Sequence, residues 1–180
     1  MQIVRKIFSR LKQLLITFSS GDFKIRLLRS TGMKIGSHCS INTNAFSTEP
    51  FLIEIGNHVA IASGTRFVTH DGSAWIMRQE IPKIDVFGAI KVGDNTFIGS
   101  NSLILPGTRI GCNCVIGAGS VVRGVIPDNS VAIGNPAKII FKTSMLKTLM
   151  LKNKGALMTK GLGFREKKKI LLEHFKLDGK

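Results

Sequence analysis

The sequence predicts an all-β solenoid: a left-handed parallel β-helix with an external loop and flanking N- and C-terminal helices. Three observations carry the prediction. Aliphatic residues recur every sixth position at Val92, Ile98, Ile104, Ile110, Ile116 and Val122. The same beat runs earlier through Ile35, Ile41, Ile55, Ile61 and Phe67. Glycine follows the aliphatic residue at Gly36, Gly56, Gly93, Gly99, Gly111 and Gly117, and the fifth position is small at Thr96, Ser102, Thr108, Cys114 and Ser120. An amphipathic helix needs apolar residues three and four apart, and a sandwich strand alternates with period two, so neither accounts for a period of six.

Each hexapeptide then supplies one short strand and one turn, and three of them close a triangular coil of about 18 residues. The aliphatic position faces inward, and the small fifth position fits beside a corner. Gly and Asn at the corners adopt left-handed backbone angles at low cost. Coils stack at roughly 4.8 Å, the spacing of paired strands. No single coil buries its own interior, so stability requires several. Residues 47–54 carry two positions more than one hexapeptide, and the stretch FVTHDGSAWIMR after Phe67 breaks the beat until about Ile90. Residues 70–90 are therefore expected to leave the coil as a protruding loop.

The boundaries expected are an N-terminal arm over 1–34, the β-helix over 35–140 and a C-terminal arm over 141–180. The net charge of +15 sits on the arms. Residues 1–34 hold eight Lys/Arg against one Asp, residues 141–180 hold eleven against three acidic residues, and the body is balanced. No nucleic-acid module is present and the neutral body has no basic stripe, so no nucleic-acid partner is expected. Helices are expected over 3–18, 142–152 and 164–177. They suit either of two tasks: capping the open ends of the coil stack, or peripheral contact with an anionic membrane leaflet. Arg10 and Lys12 cut the N-terminal apolar runs short of a membrane span or signal core. Cys39, Cys112 and Cys114 occupy positions in the repeat without metal-ligand or disulfide spacing, which suits a reduced, cytoplasmic setting and no metal.

The run IGSNSLILPGTRIGCNCVIGAGSVV, followed by IPDNSVAIGNPAKII, resembles the last coils and closing segment of the hexapeptide-repeat acyltransferases. That family includes the maltose, galactoside and serine acetyltransferases and bacterial polysaccharide O-acetyltransferases. IGNHVAIASGTRFVTHDG resembles the coil that carries the family's catalytic histidine, and the likeness covers residues 32–140. The resemblance implies a homotrimer with acetyl-CoA as cosubstrate in a groove between adjacent subunits. It also implies a sugar or polysaccharide acceptor entering from the other side.

Transfer of an acyl group to a hydroxyl needs a base, because the hydroxyl's pKa lies far above neutrality. By resemblance that base is His70, at the point where the chain leaves the coil. Asp71 is the nearest carboxylate in sequence to orient it, with Glu80, Asp85 or a main-chain carbonyl as alternatives. The resemblance assigns the amide of Ser100 to the oxyanion. It assigns Gly99, Ser100, Gly117 and Ala118 to the pantetheine arm, Arg123 and Lys138 to the adenosine phosphates, and Pro136 to the adenine. Asn42 and Asn44 match the acceptor-binding segment. Trp75 either stacks on a sugar or anchors the loop. His38 and His58 fall at outward corners and His174 in a basic helix. The readings left open beside O-acetylation are N-acetylation of a nucleotide-linked amino sugar, a metal-dependent lyase and a non-catalytic scaffold.

Overall fold

Each aliphatic residue of the six-residue beat lies in a strand two or three residues long, with its outward neighbour beside it. In a computed structural model, which describes residue 11 and residues 14–177, the strands in chain order are β1 (Lys34–Ile35), β2 (Ser40–Ile41), β3 (Ala45–Phe46), β4 (Ile53–Ile55), β5 (Ala60–Ile61), β6 (Arg66–Phe67), β7 (Ile90–Val92), β8 (Phe97–Ile98), β9 (Leu103–Ile104), β10 (Arg109–Ile110), β11 (Val115–Ile116), β12 (Val121–Val122), β13 (Val125–Ile126), β14 (Ser130–Gly134) and β15 (Ala137–Lys142). The chain visits three sheets in rotation. The first has the order β1-β4-β7-β10-β13, the second β15-β14-β11-β8-β5-β2 and the third β12-β9-β6-β3. Every pairing is parallel except that of β14 with β15.

The register stacks like on like. Ile35, Ile55, Val92, Ile110 and Ile126 form one inward file. Ile41, Ile61, Ile98, Ile116 and Ala132 form the second, and Phe46, Phe67, Ile104 and Val122 the third. All are buried except Phe46, which packs against the core and stacks on Phe67 with ring centroids 5.2 Å apart. Full burial of such a side chain contributes about 1.5–3 kcal/mol. The small fifth positions are buried as well, and their hydroxyls bond to the neighbouring circuit: Thr65 to the carbonyl of Gly99, Thr96 to Gly111, Ser102 to Gly117 and Thr108 to Val122, all within 3.1 Å. Cys114 occupies the same kind of position, and burial pushes its thiol pKa up. The fourth position makes the turn: His38, His58, Asn95, Asn101 and Asn113 have positive φ, as do Gly64, Gly107 and Gly119.

Circuit length varies. Val92 pairs with Ile110, 18 positions on, whereas Ile35 pairs with Ile55, 20 on, because of the expansion at 47–54. Ile110 pairs with Ile126, only 16 on, so the last full circuit is two residues shorter than uniform hexapeptides from Val122 would make it. Ile55 pairs with Val92, 37 on, and the excess is the external excursion between β6 and β7.

The chain divides into two compact units, Met1–Leu146 and Lys147–Lys180. Most of the helix expected over 3–18 lies outside the described residues; residues 14–18 of it are helical. A further helix, α1 (Gly21–Arg29), follows. It carries Asp22 in its first turn and Arg26 and Arg29 in its last, which suits the helix dipole. Ile25 and Leu28 on its inner face join Ile16 and Met33 in the core cluster beneath the first strands. The Arg29 guanidinium donates to the carbonyls of Ile35 and Gly36 at 2.9 and 2.7 Å, occupying acceptors at the exposed start of the first sheet. At the other end, β15 folds back antiparallel on β14 through a turn at Asn135–Pro136 and lies along the edge of the second sheet. Beyond it come α2 (Thr143–Leu151) and α3 (Phe164–His174), close to the spans expected.

Candidate active site

The excursion from the third sheet has a defined neck. His70 forms an antiparallel bridge with Phe87, the amide of Asp71 donates to Val86 and that of Gly88 to Thr69. Beyond the neck, residues Gly72–Met77 form a 3-10 helix. Asp71 caps it, accepting from the amide of Ser73 at 2.9 Å. Hydrogen bonding from Ser73, its side chain first and its amide second, holds the Asp71 carboxyl below its usual range, with a smaller contribution from the charge of Arg123. Asp71 is thus engaged with the helix, and the expectation that it orients His70 is corrected: neighbours in an extended segment point apart.

The carboxylate at His70 is Glu49. Its Oε2 lies 3.1 Å from His70 Nδ1, and the Ser47 hydroxyl lies 3.2 Å from the same nitrogen. Glu49 accepts from Thr48 at 2.6 Å, from Thr69 at 2.7 Å and from Ser47 at 3.2 Å. These bonds, led by the one from Thr48, pull its pKa down to about 2. An ionised carboxylate only accepts, so Nδ1 carries a proton, and in the neutral ring the lone pair is then on Nε2. The His70 side chain is 45% exposed against 20% for that of Glu49, so the imidazole is the more accessible member of the pair.

His70 opens onto a cleft of about 360 Å³ along the third sheet, lined also by Arg66, Val68, Asp71, Gly72, Leu103, Leu105, Pro106 and Arg123. Such a volume lies in the range of small-ligand sites. Among the described residues no group of three or more His, Cys, Asp or Glu side chains is placed to hold a metal.

Residues 89–123 match the sequence profile described as the hexapeptide repeat of succinyl-transferase. The chain is 46% identical over 169 residues to Protein CapG of Staphylococcus aureus, covering 92% of this chain and 97% of that one. The chain belongs to the hexapeptide-repeat acyltransferases. It is 30% identical to a maltose O-acetyltransferase from Clostridium difficile, with a TM-score of 0.55 over 78% of this chain and 87% of that one. A hexapeptide-repeat acetyltransferase from Vibrio cholerae, solved with acetyl coenzyme A, is 26% identical with a TM-score of 0.56 over 78% and 87%.

In this acyltransferase the other expected site residues fall in three places. Arg123 lines the His70 cleft. Gly99 and Ser100 do not; they lie in the turn that leads into β9, and Gly117 and Ala118 lie in the equivalent turn before β12. Leu105 and Pro106, which do line the cleft, follow β9, so the small-residue turns flank the opposite edge of the same sheet. Among the described residues the amides of Ser100 and Ala118 donate no hydrogen bond, although Ser100 accepts from Gly119. Adding a Cβ at Gly99 would place it 2.5 Å from the Ala118 nitrogen, so only glycine permits this close stacking.

The remaining residues lie elsewhere. Asn44 donates weakly to the carbonyl of Thr17 at 3.4 Å and borders a small crevice with Ile16, Leu28 and Met33. Asn42 is exposed, with its amide bonded to Ile61. Trp75 is 73% exposed and lines a separate depression with Ile76, Arg78 and Gln79; the Arg78 guanidinium sits 5.9 Å from its ring centre. Pro136 makes the β14–β15 turn, and Lys138 on β15 pairs in register with Ile133. His58 bonds Asn95 at 2.7 Å within a file of turn side chains that continues to Asn113 and Asn129.

Proposed function

We propose that this chain is an acetyl-CoA-dependent O-acetyltransferase acting on a sugar hydroxyl, within a surface polysaccharide or its precursor. The observation that carries the reading is the Glu49–His70 pair at the mouth of an open cleft, on a fold shared with acetyl-CoA-binding relatives. The left-handed positive-φ turns and the three-sheet rotation support a left-handed parallel β-helix.

In the proposed reaction, His70 Nε2 takes the proton from the acceptor hydroxyl as its oxygen attacks the thioester carbonyl. Glu49, holding Nδ1–H, stabilises the imidazolium that forms. The amide of Ser100, free among the described residues, suits the oxyanion of the tetrahedral intermediate. Collapse breaks the C–S bond, and the imidazolium returns its proton to the departing thiolate. The free amides of Ser100 and Ala118, on successive circuits beside small side chains, fit the amide-bearing pantetheine arm.

His70 and the Ser100–Ala118 turns border opposite edges of one sheet. A homotrimer resolves this, because three-fold packing sets the histidine edge of one subunit against the glycine edge of the next. The basic C-terminal segment carries Lys147, Lys152, Arg165 and Lys167–Lys169 beside exposed Leu149, Met150, Phe164 and Phe175, which suits peripheral contact with an anionic leaflet. No helix among the described residues is long and apolar enough to cross a membrane.

The test is release of free thiol from acetyl-CoA with a panel of sugars. Wild type releases thiol with at least one sugar, and His70→Ala loses it by at least about 10²-fold, the scale of a general base. Undiminished turnover in His70→Ala would remove the assignment.

A further inference from the structure

The cleft beside His70 carries more positive charge than acyl transfer itself requires. Arg66 faces outward on β6, four residues before His70. Arg123 follows β12 and continues the outward file of Val68 and Leu105, since Phe67, Ile104 and Val122 are in register. Both arginines line the same cleft. Among the described residues the ion pairs are His70–Glu49, Arg78–Asp85 and Lys91–Glu54, and neither Arg66 nor Arg123 has a side-chain hydrogen bond. Arg29 and Arg78 are engaged, on main-chain carbonyls and on Asp85, whereas Arg109, outside the cleft on the first sheet, is unpaired as well among the described residues.

The acidic groups facing this cleft are committed elsewhere. Asp71 accepts from Ser73 and is not ion-paired to Arg123. Glu49 lies behind the imidazole, bonded to Thr48 and Thr69. The cleft is also lined by apolar Val68, Leu103, Leu105 and Pro106. A surface that offers apolar contact to a ring face together with two arginines suits a charged sugar.

Resting on the acyl-transfer reading above, we infer that the acceptor is an anionic sugar whose carboxylate or phosphate is bound by Arg66 and Arg123 while a hydroxyl of the same unit meets His70. Guanidinium forks bind either group bidentately, which fixes orientation as well as charge. The competing source of negative charge is acetyl-CoA itself. Its pantetheine arm has the length of about four extended residues, roughly 14 Å, between thioester and first phosphate. His70 and both arginines share one cleft of about 360 Å³, a space suited to a sugar unit rather than to a thioester together with its distant phosphates.

Binding to the full-length chain is measured by calorimetry or saturation-transfer NMR with methyl β-glucuronide, glucose 1-phosphate, methyl β-glucoside and free CoA. One of the two anionic sugars is expected to bind about tenfold more tightly than the neutral glucoside, the scale of a charge-assisted hydrogen bond. Which one it is distinguishes carboxylate from phosphate. Arg66→Gln and Arg123→Gln each remove the preference while leaving CoA binding unchanged, and His70→Ala keeps it. Arg109→Gln, at an exposed cation on the first sheet, serves as the control that leaves every affinity unaltered. No preference in wild type, a preference intact in both arginine variants, or a loss of CoA binding in place of sugar binding overturns the inference. Because this assay involves no acyl transfer, failure of thiol release would defeat the proposed activity without deciding this result.

Discussion

With Nδ1 facing Glu49, His70 has its other ring nitrogen left, and in the proposed reaction that nitrogen meets the acceptor while the carboxylate stabilises the ring's charged form. Glu49→Gln keeps the shape but lets the amide present either a donor or an acceptor to Nδ1, so kcat is expected to fall about 10–100-fold with KM for acetyl-CoA little changed. A fall in kcat matched by the loss of folded protein, measured by circular dichroism, would point to a folding defect instead. The same carboxylate gives a pH signature. Its folded pKa of about 2 lies below the ordinary 4.5, so it contributes stability that is fully present above 4.5 and lost as pH falls toward 2. The difference in melting temperature between wild type and Glu49→Gln should shrink as pH falls from about 4.5 toward 2. A difference that instead grew across that window would contradict the assignment. The place of His70, where the chain leaves the third sheet, was legible in the sequence because it stands at the break in the beat. Glu49 was legible in principle: Phe46 pairs with Phe67, and three residues on from each stand Glu49 and His70. Sequence proximity favoured Asp71, but stacking register, not adjacency along the chain, decides which side chains meet in such a fold.

At the level of elements, the inward files and small fifth positions follow directly from the period of six, because one geometric rule repeats. The irregular circuits do not: the 16-residue step from Ile110 to Ile126 and the antiparallel return of β15 depend on where an end must be closed. The excursion's neck shows how tightly its exit is held. A Cβ added at Gly88 would lie 2.3 Å from the Gly107 nitrogen and 2.7 Å from the Pro106 carbonyl carbon, main-chain atoms that cannot move aside cheaply. Gly88→Ala is therefore expected to destabilise by about 1–3 kcal/mol in urea unfolding, and to displace Phe87 and with it the bridge to His70. Activity should fall at temperatures where the variant is still fully folded. A variant as stable and as active as wild type would show that the neck is looser than its spacing indicates.

For the whole molecule, the proposed division of the site between subunits makes a prediction that no single chain can. Co-expressed His70→Ala and Ala118→Arg subunits, each inactive alone, should form mixed trimers in which one site joins an intact histidine edge to an intact glycine edge. Activity in the mixture and none in either parent is the expected outcome; a mixture as inactive as its parents would place the whole site within one subunit. The basic C-terminal segment predicts flotation with vesicles containing anionic lipid and not with zwitterionic ones, weakening as salt rises. Absence of flotation at low salt would leave those cations without a membrane role.

Strand pairing resumes in phase on both sides of the excursion, with Ile55 opposite Val92 and Ile61 opposite Ile98. The length of the segment beyond the neck is therefore decoupled from the stack: residues gained or lost there shift no inward side chain, and doubling it costs only about 0.6 kcal/mol of closure entropy. A lineage can thus edit that one contiguous cassette while the strand stack, with Arg66, Arg123 and the Glu49–His70 pair, stays as it is.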